Sequence, residues 1–72
     1  MPAPLPAPDT GPIAAELHVI ADQTERLRER VGSLAEPFLG TEREDLVASV
    51  HEAERQLLMA ARALQRALRA AG

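Results

Sequence analysis

Between residues 13 and 38 the chain repeats one spacing. Ile13, Leu17, Ile20, Thr24, Leu27, Val31, Leu34 and Phe38 follow at steps that alternate between four and three, with Thr24 the one polar member. That period keeps the side chains on one stripe of an α-helix and lays the stripe along a near-parallel partner with a shallow left-handed crossing. Asp9, Thr10 and Pro12 mark its start, because Thr10 or Asp9 caps free amides and Pro in the first turn loses no hydrogen bond. Gly32 weakens the last turns by about 1 kcal/mol relative to Ala, and Pro37 disfavours helical geometry at Glu36. The first helix is therefore predicted over about residues 11–36.

A turn over 37–41 follows, and Thr41-Glu42-Arg43-Glu44 matches a capping box, with Thr41 as N-cap and Glu44 reaching back to its amide. The second helix is predicted over about 42–70, with no internal Gly or Pro. Leu46, Val50, Ala53, Leu57, Ala61, Leu64, Leu68 and Ala71 share an arc of about 80° on it. A short connection between two long amphipathic helices folds them into an antiparallel hairpin. With the bend near residue 38 or 39, facing positions add to about 77. Val31 then meets Leu46, Leu27 meets Val50, Thr24 meets Ala53 and Ile20 meets Leu57. The expected buried residues are Leu17, Ile20, Leu27, Val31, Val50, Leu57 and Leu64, with the Thr24 hydroxyl bonded to the Ile20 carbonyl.

Composition supports the helical reading: 46 % of the 72 residues are hydrophobic, Ala and Leu dominate them, and Phe38 is the sole aromatic. Without Cys there is no disulfide framework, Cys-ligated zinc or thiol nucleophile to consider. A chain this short has little core of its own, and two helices alone leave each half wet. The fold class expected is thus all-α, an antiparallel two-helix hairpin that assembles as a dimer into a four-helix bundle. Residues 1–9 carry Pro at 2, 4, 6 and 8, which predicts a disordered, extended Pro/Ala-rich leader ahead of a hairpin spanning 10–72. The absence of a basic and apolar secretory pattern, and of any membrane-length apolar run, points to a soluble cytoplasmic protein. All eight basic residues are Arg and Lys and Asn are absent, as in proteins from GC-rich bacterial genomes.

Chemistry-bearing motifs are sparse. His18 with Asp22 and His51 with Glu54 have helical spacing, yet the hairpin register keeps the two pairs apart, so no metal is expected. Ser33 and Ser49 sit on no strand-to-helix elbow, and the four glycines form no phosphate loop. No cofactor and no enzymatic activity are expected.

Charge is the distinctive feature. Residues 1–54 hold all 11 acidic residues and four Arg, whereas Arg55, Arg62, Arg66 and Arg69 stand without any acid in residues 55–72. These four Arg lie within about 60° of one another, opposite the apolar stripe, where they also complement the helix dipole. Val47, Leu58 and Met59 fall outside the intramolecular seam. Together with the four Arg they are the candidate interface residues, two second helices lying antiparallel so that opposite charges align. The expected function is that of a small non-catalytic interaction or scaffold protein, its partner a second copy or a larger protein. The alternative is nucleic-acid or anionic-surface binding through the Arg face, which the net charge of −3 and the lack of stacking aromatics disfavour. An Ala-rich, Cys-free helical hairpin superficially resembles the small hairpin proteins of type VII secretion. Glu36-Pro37-Phe38-Leu39-Gly40 stands where that family has its Trp-x-Gly turn, so no family is assigned.

Overall fold

The structure, a computed structural model describing residues 3–72, contains two helices, α1 (Gly11–Ser33) and α2 (Glu44–Ala71), joined through a short 3-10 turn at Glu36–Phe38. Residues 3–10 form no helix or strand, and the first two residues of the predicted leader lie outside the described region. Of the two capping candidates, Asp9 is the one whose side chain acts: its Oδ1 accepts the Gly11 amide at 3.1 Å. The Thr10 carbonyl accepts the Ala14 amide at 3.0 Å, while its hydroxyl caps nothing. Pro12 occupies the first turn.

α1 ends earlier than predicted and α2 begins later. Leu34 and Ala35 keep right-handed helical dihedrals and the 3-10 turn carries that winding to Phe38. Leu39 is extended, and Gly40 reverses the chain at φ 72°, a left-handed conformation that glycine adopts without steric cost. The capping box does not form. Arg43 occupies the N-cap position, and the Thr41 hydroxyl donates to the Phe38 carbonyl at 2.6 Å and accepts the Arg43 amide at 3.2 Å. Thr41 is thus committed to the loop, and Glu44, itself the first helical residue, does not serve as the box's third-position partner. Glu44 and Asp45 still place negative charge on the first turn of α2, where the helix dipole favours it.

The helices pack against each other as a hairpin. Arg28 and Glu54 pair across the seam at 3.9 Å, and the buried Ala21 and Ala61 wall one groove. Facing numbers therefore add to about 82, not about 77, because helical winding persists to Phe38 and moves the bend toward Gly40. Thr24 lies level with Leu57 and Leu58 instead of Ala53. Its hydroxyl does donate to the Ile20 carbonyl, at 2.8 Å.

The larger correction concerns which side of α1 is buried. Leu17, Thr24 and Val31 lie half-buried on the seam as expected, but the alternate positions move on by one residue. Ala14, Ala21, Arg28 and Ala35 take the places expected for Ile13, Ile20, Leu27 and Leu34. Ala21, Ala35 and Ala61 are the buried hydrophobic residues among those described, whereas Ile20 and Leu27 are exposed. Small side chains at Ala21, Ala35 and Ala61 suit close packing of the two helices, and larger ones at these positions would hold them apart. The molecule measures 60 × 27 × 12 Å between Cα atoms. Two helices side by side make a single layer, and both broad faces of the hairpin are open.

Candidate interaction surfaces

One broad face is polar. A groove of about 610 Å³ runs between the helices, lined from α1 by His18, Asp22 and Glu25 and from α2 by Leu58, Arg62, Gln65, Arg66 and Arg69. Asp22 pairs with Arg26 at 3.1 Å, and Glu25 accepts the Arg28 Nε–H at 2.9 Å. That hydrogen bond holds the Glu25 carboxyl below its ordinary value against the opposing effect of desolvation, with the charges of Arg28 and Arg62 reinforcing it. The same bond raises Arg28, to which Glu25 and Glu54 contribute by charge. The Glu54 carboxylate lies where a side chain at residue 32 would project, which the absence of a Cβ on Gly32 permits. At the other end of the hairpin Arg43 lowers Asp45 through a side-chain hydrogen bond.

The candidate residues from the sequence are divided among different surroundings. Arg55 is tied to Glu52 one turn earlier. Arg62, Arg66 and Arg69 line the groove and form no ion pair among the described residues. Val47 and Leu58 are half-buried, Leu58 in the groove wall, and Met59 is exposed. No three His, Asp or Glu side chains among the described residues are placed to hold a metal ion.

The opposite face is apolar. Stepping about 100° per residue, Ile13, Ile20, Leu27 and Leu34 form a row seven residues apart that lies about 80–140° to one side of the buried Ala21. Leu46, Leu57 and Leu64 lie about 40–60° to one side of Ala61. Because α2 runs in the opposite direction, these two flanks share one face, and the polar groove occupies the other. The row is 55, 41, 47 and 63 % exposed from Ile13 to Leu34. Arg30 stands beside it, walling a shallow depression with Leu27, Val31 and Leu34. This surface on α1 is absent from the sequence-derived candidates, which lie on α2. Its signal was present: two seven-residue rows, Ile13, Ile20, Leu27 and Leu34 or Ala14, Ala21, Arg28 and Ala35, can each complete a stripe with Leu17, Thr24 and Val31, and hydrophobicity alone selects the first as core.

No protein-family model matches the chain, and no similar curated protein or solved structure is found. No helix among the described residues is long and apolar enough to cross a membrane.

Proposed function

We propose that this protein is a non-catalytic helical-hairpin interaction module that self-associates through its apolar face, two hairpins stacking into a four-helix bundle. The observation that carries this reading is the row Ile13, Ile20, Leu27 and Leu34, half-exposed on a molecule one helix layer thick. Isolated surface hydrophobics are ordinary, but a heptad row beside half-buried Leu57 and Leu64 is a coiled-coil seam lacking its partner. Exposure favours this face over Val47 and Leu58, whose side chains are already half covered within the hairpin. Burying the face supplies about 25 cal/mol per Å² of apolar surface, and charges at its rim chiefly set orientation.

Size-exclusion with light scattering on Leu27→Glu and Ile20→Glu tests the proposal. Either substitution at a half-exposed position should shift wild-type assembly to monomer while the hairpin stays helical by circular dichroism. Retention of the assembled mass by both variants would refute it.

One observation favours a second reading. Arg62, Arg66 and Arg69 form a row along the polar groove with no ion-pair partner among the described residues, suited to phosphate contacts on a nucleic acid or an anionic surface. Binding of single-stranded DNA that weakens steeply as salt rises and is lost when these Arg are replaced by Gln would support it. Failure to bind at low salt would remove it.

A further inference from the structure

The four row residues of α1 are accompanied by a second seven-residue row three positions on: Glu16, Gln23 and Arg30. Each member stands one helical turn from two members of the apolar row, Glu16 between Ile13 and Ile20, Gln23 between Ile20 and Leu27, Arg30 between Leu27 and Leu34. All three are exposed. Neither Glu16 nor Arg30 takes part in an ion pair among the described residues. The flanking row therefore reads acid, amide, base, centred on Gln23.

We infer that the occupant of the apolar face is a second copy whose α1 lies antiparallel to this one, about a two-fold axis passing beside Gln23 and Thr24. This rests on the self-association proposed above and specifies its geometry. An antiparallel copy sets Ile13 level with the second copy's Leu34 and Ile20 level with its Leu27, so the apolar row meets itself at every layer. The same operation brings Glu16 to the second copy's Arg30, twice, and Gln23 to its own counterpart. A parallel copy would keep the apolar row in register but oppose Glu16 to Glu16 and Arg30 to Arg30, and like charges at a contact disfavour that partner.

The hairpin register extends the match to α2. A two-fold beside residues 23 and 24 passes α2 near Leu58 and Met59, given facing numbers of about 82. Leu57 then falls level with the second copy's Ala60, Leu64 with its Ala53 and Leu46 with its Ala71. Large side chains meet small ones at these three layers, which is the alternation that an interdigitated bundle core requires. An isologous interface demands this kind of self-complementarity, each residue pair occurring twice.

The chain's lack of Cys allows a direct test by thiol crosslinking of the full-length protein. Gln23→Cys, Glu16→Cys and Arg30→Cys are made singly, and a maleimide crosslinker is used whose reach is well below the offset of about 21 Å that an antiparallel copy imposes between the two residue-16 positions. The expected result is efficient crosslinking of Q23C with itself, little of E16C or R30C alone, and recovery of crosslinking when E16C and R30C are mixed. Self-crosslinking of E16C as efficient as that of Q23C would overturn the inference in favour of a parallel copy. A species of dimer mass in which neither Q23C nor the E16C and R30C mixture crosslinks would overturn it too, showing α1 packed against another helix while leaving self-association standing. A monomer by mass would remove both. Independently, Glu16→Arg and Arg30→Glu should each raise the dimer Kd several-fold, and the double variant, which restores opposite signs, should return it toward wild type. Failure of the double variant to recover would also count against the antiparallel pairing.

Discussion

Replacing Ala21 by Leu separates the observed seam from the one hydrophobicity alone suggests. Ala21 is 2 % exposed and walls the interhelical groove together with Ala61, itself 6 % exposed. Leu at residue 21 adds an isopropyl group where two backbones are held together by small side chains. Forcing extra carbons into such a site costs about 1–3 kcal/mol through rotamer strain and backbone displacement. In a domain of this size each kcal/mol moves the melting temperature by about 4–8 °C, so a fall of roughly 4–24 °C is expected. Thermal unfolding followed by circular dichroism measures it, at fixed protein concentration because the proposed self-association would add concentration-dependent stability. Ala15→Leu, at an exposed position of the same helix, serves as the control and should change little. Were Ile20 and Leu27 the buried positions, Ala21 would lie off the seam and Ala21→Leu would be tolerated as well as the control. An A21L protein melting at or above wild type would refute the small-residue seam.

Gly40→Ala should destabilise by about 1 kcal/mol, since φ of 72° penalises any Cβ even though open space surrounds it, and denaturant titration would show this as a lower midpoint at unchanged slope. Gly32→Ala should go the other way by up to about 1 kcal/mol, because the gain in helix propensity outweighs displacement of the flexible end of Glu54; a loss exceeding 1 kcal/mol in the same titration would show that Glu54 is fixed there. Glu25 and Asp45 have folded pKa values below their ordinary ones, so the unfolded chain binds their protons first. The stability they contribute is present above the ordinary carboxylate range and is lost as pH falls through it toward the depressed folded values. Glu25→Gln should flatten the acid side of a stability-against-pH curve, and an unchanged curve would contradict the Glu25–Arg28 interaction.

The fold class was legible because it rests on strong, redundant signals: two amphipathic stretches free of internal Pro, a Pro- and Gly-containing connection, and few aromatic residues. The Thr24 hydroxyl bond to Ile20 was legible for the same reason, since it depends only on a helix existing there. The roll of α1 was not. Leu17, Thr24 and Val31 belong to both possible stripes, and the choice between Ile20 with Leu27 and Ala21 with Arg28 depends on how closely the partner helix approaches, a property of the pair. The register slipped for a local reason: Pro37 at the start of a 3-10 turn prolongs winding instead of stopping it, since the first positions of such a turn need no Pro amide. The pattern of exposed apolar side chains follows from the roll. Leu58 and Val47 were singled out for lying off the predicted stripe, and a rotated seam covers them in part while uncovering the row on α1.

Self-association through that row would double the molar mass of the wild-type chain in solution. Sedimentation equilibrium from low to tens of micromolar, at moderate salt, should fit a reversible monomer–dimer system with a limiting mass of twice the 7.8 kDa chain. Because apolar burial drives it, the dimer should persist as salt is raised. A folded 7.8 kDa monomer throughout that range, with a sharp thermal transition, would contradict the account and leave the exposed heptad row of α1 for a different partner.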